Sequence, residues 1–209
     1  MSLRTSVAEG LHAGGSRAEE LGQVVLINEA AKRLLVRSFE INLRSLNAIV
    51  QSKRSGGRLR GFDEASSQIR TWSRELHGQL ERLVGLGREA VGLASRLLRL
   101  QRMVGLLGSA ARVSRNAGAE RALATAEAAL TTHRTALRAT WRRLFGVIDD
   151  LNQLGLMACV LSRSAMIEAT AADADQRPQL DELTKDFYVK SEEVADIVRR
   201  LSKSAESIR

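Results

Sequence analysis

Residues 42–62 read NLRSLNAIVQSKRSGGRLRGF, and the fold follows from how this stretch is read. On the approach, Ile27, Leu34, Ile41 and Ala48 recur every seven residues. On the return, Phe62, Ile69, Leu76 and Leu83 do the same. Between the two lines stand Ser55, Gly56, Gly57 and Gly61. Glycine has no Cβ and tolerates positive φ, so a Gly-rich break between two apolar lines of equal period predicts two helices reversing direction.

The same periodicity extends outward. The first helix is expected from about residue 17 to Arg54, its apolar face being Leu21, Val24, Ile27, Ala31, Leu34, Ile41 and Ala48, widened by Leu35, Phe39, Leu46 and Ile49. A face that wide suits a bundle core better than a two-stranded seam. The second helix is expected over 61–112, with one line from Phe62 to Ala111 and another through Ala65, Trp72, Gln79, Leu86, Leu93, Leu100 and Leu107. Sustained 3.5-residue periodicity predicts left-handed, knobs-into-holes packing. Gly78, Gly85, Gly87, Gly92, Gly105 and Gly108 interrupt this helix and read as points of close helix approach, with Gly85, Gly87 and Gly92 as candidates for a bend. Residues 114–118 read as a turn. A third helix follows over 119–171 on Leu123, Leu130, Leu137, Leu144, Leu151, Ala158 and Ala165, supported by Val147, Leu154 and Leu161. ADADQRP (172–178) breaks that pattern, and Pro178 fits the first turn of a fourth helix on Leu180, Phe187, Val194, Leu201 and Ile208. Residues 1–16 are Gly/Ser-rich and are expected to be disordered.

The two halves match each other. An offset of 117 carries Ile27, Leu34, Ile41 and Ala48 onto Leu144, Leu151, Ala158 and Ala165, and an offset of 118 carries Phe62, Ile69, Leu76 and Leu83 onto Leu180, Phe187, Val194 and Leu201. The added residue falls in the turn, where an insertion costs little. A single helical hairpin cannot bury a wide apolar face alone. The expected fold is therefore all-α: an elongated antiparallel four-helix bundle or coiled coil of two consecutive hairpins, 17–112 and 119–209, forming one domain over 17–209. Its turns at 54–61 and 171–178 would share one end, and the protein would be mainly monomeric.

Composition agrees with long helices: one Pro, seven aromatic residues and abundant Ala, Leu and Arg among 209 residues. The formal charge of +8 admits an acidic protein surface, nucleic acid or anionic lipid as partner, although an Arg-rich solvated helix surface has the same composition. Cys159 is the one cysteine, which excludes an internal disulfide and fits a reducing, cytoplasmic compartment. It lies in the apolar run LGLMACVL and reads as a buried, inert thiol. Continuous apolar runs are shorter than the ~20 residues a membrane span needs, and the N-terminus lacks the apolar core of a signal peptide, so any sensory or membrane segment is expected outside this chain.

Catalytic constellations are absent from the sequence. His12, His77 and His133 form no ligand pair, and His133 reads as a packed histidine. Gly56-Gly57 followed by Gly61 has no strand before it, so it is no dinucleotide fingerprint. The chain reads as a non-enzyme with no cofactor, no metal and no small-molecule substrate. Its chemistry concentrates instead at the turn, where Lys53, Arg54, Arg58 and Arg60 crowd into eight residues. Arginine forks can grip carboxylates or phosphates at two points, or simply cap the helix end. Nucleic acid is disfavoured there, because no aromatic residues interleave with the bases.

The 42–62 stretch resembles the cytoplasmic signalling tip of bacterial chemoreceptors, the methyl-accepting chemotaxis proteins. Asn42, Leu43, Leu46, Asn47, Ala48, Arg54, Gly56, Arg60, Gly61 and Phe62 fall on the family pattern, and Ile69-Arg70 falls on its Val-Arg. Gln51 and Gly57 stand where the family has Glu, and Leu59 where it has Gly. The offset of 117 places Glu168 opposite Gln51, so Glu168 is the family-type acid that the first turn lacks. Receptors of this family dimerise two hairpins, whereas here a single chain supplies both. The resemblance implies a chemoreceptor-like signal-transduction protein whose tip docks on a chemotaxis coupling protein and histidine kinase, or on other receptor tips, near a receptor array. The partner-binding residues it implies are Asn47, Gln51, Arg54, Gly56, Arg58, Arg60, Gly61, Phe62 and Glu168. The shaft pairs Glu19-Glu20 and Glu192-Glu193 only partly fit the context of family methylation sites. The alternatives are a structural or scaffolding bundle without kinase coupling, which the two missing acids favour, and a basic binder of nucleic acid or anionic membrane.

Overall fold

The computed structural model describes residues 3–54, 60–114, 116–173 and 176–206, with side-chain surroundings described at residue 22 and over 25–53, 60–113, 116–173 and 176–206. Four helices make up nearly all of this: α1 (Leu3–Arg54), α2 (Arg60–Ser114), α3 (Ala117–Thr170) and α4 (Arg177–Glu206). No strand occurs among the described residues. The chain is all-α, as its periodicity predicts. One boundary differs markedly: helix starts at Leu3, so residues 3–16 are helical where a disordered segment is expected. The glycines there cost ~1 kcal/mol each relative to Ala, which lowers helix propensity without forbidding helix.

The turns follow from their chemistry. At the α2–α3 turn, Asn116 caps α3: its Oδ1 accepts from Gly118 N at 2.8 Å and its carbonyl accepts from Ala119 N at 3.0 Å. At the α3–α4 turn, the Asp173 carbonyl accepts from Gln176 N and Arg177 N, both at 3.0 Å. Pro178 then occupies the first turn of α4, where its missing N–H leaves no helix bond unmade.

Packing divides the chain into two compact units, where a single bundle over 17–209 is expected. The first comprises residues 1–25 and 85–145, and the second comprises 26–84 and 146–209. Helix lengths explain the division. The 30 residues of α4 span ~45 Å and the 55 of α2 span ~80 Å, so α4 cannot line the whole of α2.

The second unit is a square four-helix bundle in the order α1–α2–α3–α4, and each neighbouring pair carries a specific contact. Ser38 and His77 join α1 to α2 at 3.2 Å. Trp72 Nε1 donates to the Leu154 carbonyl at 2.8 Å, joining α2 to α3. Ser162 and Ser191 hydroxyls meet at 2.6 Å between α3 and α4. Lys190 donates to Glu40 at 2.8 Å between α4 and α1. The sixteen positions related by the two offsets are all buried, from Ile27 to Leu201.

The second core line differs from expectation. Ser38, Ser45 and Ser52 on α1, Ser66 and Ser73 on α2, Ser162 on α3, and Thr184 and Ser191 on α4 are buried. Most of their hydroxyls bond a carbonyl of their own helix, for example Ser45 to Asn42 O at 2.7 Å and Ser162 to Ala158 O at 2.9 Å. Facing this line inward turns the neighbouring positions out. Phe39, expected to widen the core, is 61% exposed, and Leu35, Leu46 and Ile49 are only half-buried.

Glycine needs a similar correction. A Cβ at Gly78, Gly85, Gly92, Gly105 or Gly108 would meet nothing within 4 Å, so these are not points of close helix approach. The close approach falls at Gly155, where a Cβ would lie 3.5 Å from Ala195 Cα on α4.

The first unit is sparser. Its buried residues include Ala90, Leu97, Ala126, Leu130 and Leu144, while Leu93, Leu100 and Leu107 of the expected second line are half-buried. A polar clamp joins its helices: Glu89 accepts from Thr140 at 2.9 Å and from Arg143 at 2.7 Å. Continuous apolar runs are short, yet α3 is long and apolar enough by length and composition to cross a membrane, with a mean hydropathy of 1.4 over its best stretch.

The α1–α4 seam of the second unit is ionic. Arg37 pairs with Glu193 at 3.0 Å, Glu40 bridges Arg37 and Lys190, and Arg44 pairs with Asp186 at 2.8 Å. The Asp186 and Glu193 oxygens lie at ion-pair distance but off the line of a hydrogen bond. Bonds from Lys190, then from Arg37, hold the Glu40 carboxyl below the usual glutamate range. A carboxyl with a depressed folded-state pKa stabilises fully above its unfolded pKa and loses that contribution as pH falls through the folded value. Glu40→Ala should therefore lower stability at neutral pH by about 1 kcal/mol, the upper end for a part-exposed pair, and flatten the acid limb of a urea-midpoint-against-pH curve. An unchanged acid limb contradicts this.

Candidate functional site at the helical turns

Of the described motif residues, Asn47 and Gln51 lie in the last two turns of α1, Gly61 and Phe62 in the first turn of α2, and Glu168 in the last turn of α3. The decisive contact is Gly61 with Glu168. A Cβ on Gly61 would fall 1.8 Å from Glu168 Oε2, so the glycine leaves the room that this carboxylate occupies. The first turn of α2 thus abuts the last turn of α3, and both turns of the second unit lie at one end. Glu168 is half-buried there, beside Gly61.

The other expected site residues separate by role. Asn47 and Arg60 are exposed, as is Lys53. Gln51 is half-buried, and its Oε1 is enclosed without a hydrogen-bond partner. Phe62 is 1% exposed. It packs the turn from inside and offers no contact surface, because its heptad line continues into Ile69 and Leu76. Arg54 ends α1, and its side chain lies outside the described residues, as do Gly56 and Arg58.

Sequence reasoning missed two apolar stripes on the outer faces of this unit. On α1, Phe39, Leu43 and Val50 are exposed, and Asn47 lies between the last two at helical spacing. On α3, Leu156, Val160 and Ile167 are exposed. The offset of 117 maps one set onto the other: Phe39 to Leu156, Leu43 to Val160, Val50 to Ile167. Contiguous exposed apolar residues mark interaction surfaces more often than isolated ones do. The missed signal was the buried serine line, which fixes the rotation of α1 and so sends Phe39 outward.

Little elsewhere in the second unit suggests small-molecule chemistry. A shallow groove of about 450 Å³ between α1 and α4, at Arg33, Val36 and Ile197, has charged walls that largely pair with each other. No group of three or more His, Cys, Asp or Glu among the described residues is placed to hold a metal. Cys159 is half-buried, more accessible than the buried thiol expected.

No protein-family model matches the chain, and no curated protein matches it.

The Gly61–Glu168 contact is testable as a coupling. Ala exceeds Gly in helix propensity by ~1 kcal/mol in a helix interior and by less in a first turn, so Gly61→Ala in a Glu168→Ala background should stabilise the protein by a fraction of that amount. With Glu168 present the gain should shrink, because the carboxylate must swing away. A double-mutant cycle in urea that shows full additivity contradicts the contact.

Proposed function

We propose that this protein is a chemoreceptor-like signal-transduction protein that works through the turn end of its second unit. In this reading the end docks on a chemotaxis coupling protein and histidine kinase, or on the tips of other receptors, in the cytoplasm. The observation that carries the proposal is the juxtaposition at one end of three features. These are the described motif residues Asn47, Gln51, Arg60, Gly61 and Phe62, an acid at Glu168 set against Gly61, and exposed apolar stripes on α1 and α3.

Each feature has a physical role. Leu43, Asn47 and Val50 offer an apolar strip with one polar group to fix register, the usual form of a helix-docking face. Arg60 and Lys53 give that strip a basic margin, suited to an acidic partner surface. Glu168 supplies, from the second hairpin, the negative charge that Gln51 and Gly57 do not supply from the first. The four-helix unit comes from one chain, so a monomer would present what a receptor dimer presents. No bond chemistry is required: a partner reads the packing of the helices.

The test is a pull-down with purified coupling protein and kinase against full-length chain. Wild type should be retained. Arg54→Ala with Arg60→Ala should weaken retention at least ten-fold, and Leu43→Asp with Val50→Asp should abolish it, while helicity by circular dichroism is unchanged. Retention of all three proteins alike, or of none, rejects the proposal. In the second case a scaffolding bundle without kinase coupling is the better reading, given the missing acids at positions 51 and 57.

A further inference from the structure

The charge of the chain is divided very unevenly between its two units. The first unit holds thirteen arginines, no lysine and six acids, which leaves it +7 of the total +8. Every arginine with described surroundings in its α2 and α3 segments is exposed. Arg96, Arg99 and Arg102 on α2, and Arg134, Arg138 and Arg142 on α3, make no ion pair among the described residues. They recur at three- or four-residue spacing, where like charges repel and destabilise a helix. Beyond Glu89, which is already held by Thr140 and Arg143, the acids on these segments are Glu120 and Glu127.

An apolar element stands on the same face. At 3.6 residues per turn, Arg99, Arg102, Leu106 and Val113 fall within one sector of α2 about 60° wide. Leu106 is 74% exposed and Val113 is 88% exposed, the two most exposed large apolar side chains described. Met103 is exposed beside them. The face thus passes from arginine to aliphatic side chains toward the α2–α3 turn, where Arg112 and Arg121 are also exposed.

We propose that this end of the first unit docks on an anionic phospholipid surface. Arginine forks would bond lipid phosphates, and Leu106 and Val113 would enter the boundary between headgroups and acyl chains. The aliphatic pair decides for lipid over nucleic acid. On a duplex it would lie dehydrated against phosphate, and a single strand would call for exposed aromatic rings on which its bases could stack. Trp141 and Phe145, the aromatic side chains of these segments, are half-buried and stack on each other at 5.7 Å. This surface is separate from the turn residues of the second unit, and the inference stands whether or not those bind a kinase.

The experiment is vesicle co-sedimentation of the full chain, with fluorescence anisotropy on duplex DNA as the parallel arm. Wild type should partition onto vesicles of phosphatidylcholine mixed with phosphatidylserine, should stay free with phosphatidylcholine alone, and should release as salt rises. Arg99→Gln with Arg102→Gln should lower the partition coefficient about thirty-fold, the equivalent of ~1 kcal/mol per surface arginine. Leu106→Ser with Val113→Ser should also weaken vesicle binding and leave any DNA binding unchanged. Equal partition onto both vesicle types overturns the proposal, as does no binding at low salt. DNA binding tighter than vesicle binding, with the Leu106/Val113 variant binding vesicles as wild type, overturns it in favour of a polynucleotide surface. The wild-type arms need no variant to fold.

Discussion

A hydroxyl buried in a helical core is costly unless it finds an acceptor, and in this protein a line of such hydroxyls marks the core of the second unit. Each of its helices turns one large apolar line and one line of small or hydroxyl residues inward. Ser38, Ser45, Ser73, Ser162 and Thr184 bond the carbonyl three or four residues back, so they need no partner on another helix, whereas Ser66 Oγ is enclosed without a partner. Gly155 lets α3 and α4 approach, since a Cβ there would lie 3.5 Å from Ala195 Cα. Where two hydroxyls meet, at Ser162 and Ser191, they fix the register of α3 on α4. An apolar line alone would permit several registers, since Leu, Ile and Val pack interchangeably at this spacing.

The hydroxyl line also bears on the origin of the fold. Regular heptads match one another readily, but serines at matching core positions do not follow from the period. The offsets that align the apolar lines also carry Ser45 to Ser162, Ser66 to Thr184 and Ser73 to Ser191. The exposed stripes of α1 and α3 repeat as well. Two copies of one hairpin joined in a chain account for all three correspondences. Joining also frees the halves to diverge. The offsets relate Lys190 to Trp72 and Arg37 to Leu154, so an ionic seam on α1–α4 corresponds to a buried indole–carbonyl bond on α2–α3. A symmetric dimer of identical hairpins would have to make both seams alike.

Helix number, helix order and the main core line were legible in the sequence because Leu, Ile, Phe and Val announce their face by spacing alone. The second core line was not, because a serine reads as polar until its hydroxyl is seen to bond its own helix. That misreading placed Phe39 inside. Glycines in α2 suggest packing points by their spacing, yet a Cβ at Gly78, Gly85, Gly92, Gly105 or Gly108 would meet open space, which periodicity does not reveal. At the turn, Glu168 was legible only through the internal offset, and Phe62 carries the motif without presenting a surface. The charge division was hidden because the total of +8 does not say where the arginines collect.

The central claim is that both hairpins of one chain bring their turns to one end and close a four-helix unit without a second copy. The direct test places cysteines at Gly61 and Glu168 in a Cys159→Ser background and adds a short bismaleimide at low protein concentration. The account predicts rapid cross-linking within one chain, seen as a monomer of altered mobility whose tryptic map joins the first turn of α2 to the last turn of α3. Cross-linked dimers in place of that monomer, or no cross-link between these positions, would contradict it.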